Sequence, residues 1–274
     1  MGDVVYAVIG GPIGAKPGRV RRDVVARFAT ALLVCLVVAT LGPVSPADAQ
    51  APANPPPGVV PALREWSPGP GAFRLGAASR IVVDASSLAG EAGRLRDDLA
   101  AVTGLALPVA VKQRPRAGDL FLSGGGTDAQ LGSEGYRLVI GDRVEITAGG
   151  ATGVFYGTQT VLQMLRSMPG QRTLPHGEAR DWPRFRERGY MLDAGRKYWS
   201  PDYVVQTIRE MAYLKLNTLQ LHLSDNNAFR LVSDRFPYLA APEAYTKADI
   251  RRFEAAARKY HVTIIPEIEM PAHA

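Results

Sequence analysis

Apolar and polar positions follow two different rhythms along this chain, and the change between them divides it. From Leu75 to Pro169 the segments are short and of mixed type. Residues 80–84, 106–112 and 119–123 are compact apolar runs bounded by turn formers, which predicts three strands. Leu88, Ala92, Leu95, Leu99 and Val102 recur at helical spacing, and Gly104 closes that stripe. Residues 136–140 and 144–148, joined through Gly141-Asp142, predict a hairpin with glycine at the first position of a type II′ turn. A second helix is predicted through Val154, Tyr156, Val161, Leu162 and Leu165. From Arg188 the order becomes strand, helix, strand, helix, strand. Tyr190-Met191-Leu192-Asp193 is the first strand, and Ser200-Pro201-Asp202 opens a helix with Val204, Ile208 and Met211 on one face. Residues 218–223 form the second strand. A capping-box pattern, Thr246-Lys247-Ala248-Asp249, precedes Ile250, Phe253, Ala257 and Tyr260, and 261–268 form the third strand. Strands alternating with helices are the signature of parallel βα units, either a doubly wound sheet or the opening of an eight-stranded barrel.

Composition changes the picture at the amino-terminal end. The 274 residues are 46% apolar and 21% charged, an ordinary globular balance that excludes wholesale disorder. The net charge of +6 would matter for nucleic acid only if it gathered on one face, but the basic residues scatter and no basic run is interleaved with aromatics. Nucleic acid is therefore not an expected partner. A basic stretch through Arg27, an apolar run over 28–41 and then Ala47-Asp48-Ala49 read as an export signal over 1–49. That predicts a mature start at Gln50 and a secreted or extracytoplasmic protein. The alternative is a membrane anchor, but the run is shorter than the ~20 residues a spanning helix needs, so no stable anchor is expected. Residues 1–18 are unusual upstream of such a signal and read as a misassigned start. The single cysteine, Cys35, lies inside the apolar run and would leave with it, removing thiolate chemistry. Pro52, Pro55, Pro56, Pro57, Pro61, Pro68 and Pro70 make 50–71 read as an extended linker without a core.

The polar residues able to do chemistry fall at the carboxyl ends of the three βα strands, where both parallel architectures place their sites. These are Asp193 and Arg196, then Asp225, then Glu267, Glu269 and His273. Glu267 and Glu269, two apart on a strand, share a face. They could serve acid/base work or clasp sugar hydroxyls, or else pair with Arg196 or Arg230 for structure. A metal set of His222, Asp225 and His273 lacks a helical H-x-x-x-H spacing, and no metal is expected. His176, in a loop, and His261, at a helix end, read as surface histidines. Trp66, Trp182 and Trp199 could each stack on a sugar, with Trp182 beside Pro183 reading better as a plug between domains. Gly124-Gly125-Gly126 has no Lys-Ser/Thr pair after it and reads as a flexible turn, not a phosphate loop.

Three blocks carry a family resemblance: 188–196 (RGYMLDAGR), Lys215-Leu216-Asn217 leading to His222-Leu223-Ser224-Asp225, and 265–273 (IPEIEMPAH). Their order and spacing resemble glycoside hydrolase family 20, the β-N-acetylhexosaminidases. Gly153-Val154-Phe155-Tyr156-Gly157 resembles the end of the small domain that precedes the catalytic barrel in that family. The resemblance implies an α+β amino-terminal domain over 72–182, followed over 183–274 by the first three βα-type strands of an incomplete (β/α)8 TIM barrel. It implies retaining hydrolysis in which the substrate's own 2-acetamido oxygen attacks the anomeric carbon, with an N-acetylhexosamine-containing glycan as partner and no cofactor. Arg196 and Asp225 would bind substrate, and Glu267, Glu269 and His273 would support the site. The variants 195–200 (GRKYWS) and Ser224-Asp225-Asn226 are similar to a branch that includes lacto-N-biosidases. Five positions depart from the family pattern: Asn226-Asn227-Ala228 for Asp-Gln-Gly, Glu269 for Asp, and Ala272 for Gly. The family's catalytic Asp-Glu pair has no counterpart, since no Asp-Glu dipeptide occurs in the chain. With roughly 250 residues needed for a full barrel, the chain reads as an amino-terminal fragment that does not turn over substrate by itself. A non-catalytic secreted sugar-binding module is the remaining alternative.

Overall fold

The computed structural model describes residues 53–168, 170 and 172–273, so the export signal and Cys35 lie outside the described residues. The first half is a seven-stranded sheet. Its strands are β1 (Glu65–Arg74), β2 (Ile81–Val83), β3 (Val109–Val111), β4 (Leu120–Ser123), β5 (Tyr136–Ile140), β6 (Val144–Ala148) and β7 (Thr173–Asp181), in the order β1-β7-β5-β6-β4-β2-β3. The β3-β2-β4-β6 side is parallel and the β6-β5-β7-β1 side antiparallel. Helices α1 (Ala89–Thr103) and α2 (Ala151–Ser167) pack together and against the sheet. Among the described residues, no helix is long and apolar enough to cross a membrane.

Three expectations fail in this half. The proline-rich stretch is not a linker throughout, because 65–71 belong to β1, which pairs with β7 from Glu65↔Arg180 to Arg74↔Thr173. β1 is an edge strand with an irregularity between Pro68 and Ala72, so its prolines remove no ladder bond that a neighbour needs. Upstream, Val59 is buried, and the Gln163 amide accepts from Val60 N at 2.7 Å and donates to Val60 O at 2.8 Å. His176, expected in a loop, sits on β7 with Nδ1 3.0 Å from Pro70 O. The β5–β6 hairpin forms in the expected place, but Ile140 pairs with Val144, so three residues connect the strands. Gly141 is not in the left-handed region, and the turn is therefore not type II′.

The second half contains β8 (Gly189–Asp193), α3 (Pro201–Tyr213), β9 (Thr218–His222), α4 (Lys247–Lys259) and β13 (Thr263–Glu267), with the three strands parallel in the order β13-β9-β8. Ser200 Oγ caps α3 by accepting from Tyr203 N, and Thr246 with Asp249 forms the capping box of α4. Between β9 and α4 the chain makes a separate small sheet of β10 (Ser224–Asp225), β11 (Ala228–Leu231) and β12 (Ala240–Tyr245).

The two halves share one continuous core running from the sheet through α1 and α2 to α3 and β9. Helix α2 is buried on nearly every side, which requires glycine where it meets the sheet. A Cβ on Gly157 would meet Ile146 Cγ2 at 2.5 Å, and one on Gly153 would overlap Gly135 O and lie 2.7 Å from Ala148 Cβ. Gly153→Ala is expected to destabilise the fold by about 1–3 kcal/mol through this overpacking, measured by urea unfolding. An unchanged midpoint would show that the helix can shift away at no cost.

Polar contacts also cross the junction. Lys215 Nζ donates to Asp181 Oδ2 and to Tyr136 OH, each at 2.8 Å, and all three side chains are buried. His261 is not a free surface histidine. Its Nε2 lies 3.3 Å from Glu91 Oε1, its Nδ1 3.1 Å from Thr152 Oγ1, and its ring 4.8 Å from that of Phe155, so it docks the end of α4 onto α1 and α2. Trp182 is half-buried beside a cleft of about 410 Å³, with the Arg64 and Arg180 guanidiniums 5.2 and 5.7 Å from its ring.

Candidate active site

Parallel pairing places Asp193, His222 and Glu267 in one row. Asp193↔His222 and His222↔Glu267 are register partners, and each residue is the last of its strand. In-register residues of parallel strands project from the same face, so three ionisable side chains meet at the carboxyl ends of β8, β9 and β13.

The turn after β8 is drawn against β9, since Ala194 N and Gly195 N both donate to His222 O, at 2.9 and 3.0 Å. Gly195 is required by this close approach, because a Cβ there would lie 2.9 Å from Ser224 C and 3.0 Å from Asp225 N. The turn is closed by Asp193, whose Oδ1 accepts from Arg196 N at 2.9 Å. Arg196 then forks, with Nη1 2.8 Å from Asp193 Oδ2 and Nη2 2.7 Å from Asp225 Oδ2. Beyond β13, Glu269 N donates to Ser224 Oγ at 3.0 Å and ties that segment to β10. His273 Nδ1 comes within 3.1 Å of Asp225 Oδ2 and 3.2 Å of Arg196 Nη2, with Nε2 3.8 Å from Glu269 Oε2.

The residues singled out from the sequence thus meet, but in distinct situations. Arg196 is half-exposed, whereas the Asp225 side chain is only 3% exposed. Asp225 Oδ2 faces Arg196, His273 and His222, and Oδ1 accepts from Asn226 N at 2.7 Å. Protein groups therefore surround both of its oxygens, and the accessible rim consists of Arg196, Glu269 and His273. Glu267 closes β13, and Glu269 lies past the strand end. Both still approach His222, each of the three offering a ligand-type atom within 4.8 Å of the others. His222 Nδ1 is 3.3 Å from Glu267 Oε1, so an imidazole lies beside these carboxylates. Arg230 is not their partner, since its Nε donates to Ala194 O and its Nη1 to Glu243 O. Trp199 is committed to structure, donating from Nε1 to Asp193 O at 2.8 Å and stacking on Tyr203 at 4.5 Å.

Protonation follows this packing. Burial pushes the Asp225 carboxyl up, but the Asn226 amide, His222, Arg196 and His273 outweigh it and leave the group below the ordinary aspartate value. Glu267 is also held low, first by the Gln220 amide, whose Nε2 donates to Oε2 at 2.6 Å. Burial lowers His222, yet the contact with Asp225 and the nearby Glu267 carboxylate prevail and raise it above the ordinary histidine value. Sequence reading gave His222 no part in a sugar site. The signal was present in the spacing of His222 and Asp225, three apart across a strand end.

Residues 56–182 match the model of glycosyl hydrolase family 20, domain 2, and 185–274 match that of the glycosyl hydrolase family 20 catalytic domain. This chain belongs to glycoside hydrolase family 20. Among curated relatives, the lacto-N-biosidase of Bifidobacterium bifidum is 34% identical over 218 residues, covering 79% of this chain and 19% of the relative. The β-hexosaminidase of Porphyromonas gingivalis is 30% identical over 237 residues, covering 79% of this chain and 30% of its own length. Among solved structures, a mutant β-hexosaminidase of Streptomyces plicatus in complex with the product GlcNAc matches with TM-score 0.71 at 34% identity, over 82% of this chain and 48% of that one. The chain therefore spans less than half the length of these family 20 relatives.

Proposed function

We propose that this chain carries the sugar-gripping part of a β-N-acetylhexosaminidase site, on the first three strands of a (β/α)8 barrel, in a secreted protein that acts on β-linked N-acetylhexosamine glycans. The observation that carries this reading is Arg196, a guanidinium held at the strand ends by Asp193 and Asp225 and half-open to solvent. A fixed planar fork beside His273 suits the hydroxyls of a terminal sugar, and the β-hexosaminidase relatives supply the sugar class. Hydrolysis in this reading is substrate-assisted: the 2-acetamido oxygen attacks the anomeric carbon while an acid protonates the leaving oxygen. We assign that acid, and the aspartate that orients the acetamido group, to no residue of this chain, which has no Asp-Glu dipeptide. Secretion rests on the export-signal pattern of 1–49.

A second reading, cleavage that releases lacto-N-biose, is favoured by the Bifidobacterium relative of that activity. Nuclear magnetic resonance of the 274-residue chain distinguishes the two. Titration with N-acetylglucosamine is expected to shift the Arg196 Nε–H and His273 ring signals while glucose leaves them in place. Tighter binding of lacto-N-biose would favour the second reading. Resonances unmoved by either sugar would defeat both. The chain is expected to release no 4-nitrophenol from the N-acetyl-β-glucosaminide; release would move the acid/base role to Glu267 and Glu269.

A further inference from the structure

His222 sits where a neutral imidazole fits poorly. It is 3% exposed and is the middle member of the Asp193–His222–Glu267 row. Both ring nitrogens face carboxylates, Nε2 towards Asp225 Oδ2 and Nδ1 towards Glu267 Oε1, each at 3.3 Å. Glu267 lies off the ideal N–H axis, so Nδ1 is buried without a well-directed hydrogen bond and its contact is mainly electrostatic. A neutral ring carries one proton and would turn a lone pair towards one of the two carboxylates. An imidazolium donates towards both.

The surrounding charges point the same way. Asp193 faces the ring from β8, Asp225 from β10 and Glu267 from β13, with Glu269 just beyond that strand. Arg196 meets the same Asp225 oxygen, and His273 meets the ring edge-on at 6.1 Å between centroids. Four carboxylates thus gather around one guanidinium and two imidazoles.

We propose that His222 is a positioning residue that rests doubly protonated, bracing Asp225 from Nε2 and facing Glu267 with Nδ1, so that Asp225 holds Arg196 and His273 in place for the sugar. His222 touches no sugar in this arrangement. It acts through Asp225, adding a third contact to the Oδ2 that also takes Arg196 and His273. Deprotonation leaves one ring proton for two carboxylates and turns a lone pair towards one of them, so the brace loosens and sugar binding weakens as pH rises through the His222 midpoint. The contribution is fully present below the ordinary histidine value of 6.5 and is lost above the raised, folded-state value.

The effect on sugar binding rests on the function proposed above; the protonation state does not. The test is a pH titration of the wild-type chain with ¹⁵N-labelled histidine, without sugar. The expected result is two protonated His222 ring nitrogens at pH 6.5 and a midpoint above that of an ordinary histidine. A single neutral tautomer at that pH would overturn the proposal. In Glu267→Gln, which keeps the side chain's size and removes its charge, the midpoint is expected to fall by about 1 to 3 units. An unmoved midpoint would also overturn it. His222→Gln is expected to weaken N-acetylglucosamine binding about tenfold and to abolish the pH dependence assigned to His222. A variant that kept that dependence would show the role to be merely structural. Sugar that fails to bind the wild type defeats the sugar-site reading and the positioning role together, while the two midpoints still decide the protonation state.

Discussion

Replacing Asp181 by alanine lowers the unfolding free energy by about 3–5 kcal/mol, the usual consequence of stranding one partner of a buried ion pair. Lys215 is 6% exposed, and its ammonium reaches Asp181 Oδ2 and Tyr136 OH, both at 2.8 Å. Burial pushes the Lys215 amine below the ordinary lysine value, with Asp181 opposing. Without that carboxylate, the folded state binds its proton still less readily than the unfolded state does. The variant is therefore expected to regain stability as pH rises, because the unfolded chain binds the additional proton. Replacing both partners, Lys215→Met with Asp181→Leu, is expected to recover most of the loss, since the Tyr136 hydroxyl keeps Thr160 Oγ1 at 2.6 Å. Urea unfolding across a range of pH measures all three. A single variant as stable as the parent would mean that the junction opens to water and the pair is not buried in solution.

Arg196→Ala reduces N-acetylglucosamine binding by about 10- to 100-fold, the range expected for losing charge-assisted hydrogen bonds to a sugar. The unfolding midpoint is expected to change little, because half of the Arg196 side chain is in solvent and the buried Asp225 carboxylate keeps Asn226 N, His222 and His273 as partners. Arg196→Lys keeps the charge but not the fork, and cannot hold Asp193, Asp225 and a sugar hydroxyl in one plane. It should fall between the parent and the alanine variant. Isothermal calorimetry decides the point. Equal affinity in all three proteins would remove Arg196 from the sugar site and leave it a structural clasp between β8 and β10.

Sequence by itself determined the elements whose signals are local. Both helices of the first half, the strands of the βα units, the Ser200 cap and the Thr246–Asp249 capping box follow from apolar spacing and side-chain chemistry within a few residues, and they stand where that reading puts them. It also placed Arg196, Asp225, Glu267, Glu269 and His273 at strand ends. Tertiary structure decided what depends on partners distant along the chain. β1 reads as a proline-rich linker until β7, about a hundred residues later, pairs with one side of it and leaves the other open. The small sheet of β10, β11 and β12 has strands too short for a periodic signal and exists only through mutual pairing. His261 is a helix-end histidine until α1 brings Glu91 against it. The largest change is at His222, which register alone places between Asp193 and Glu267. A period-two pattern tells which face a side chain takes, but which residue stands beside it is set by strand pairing, and the environment that raises this imidazole exists only once β8, β9 and β13 lie in register.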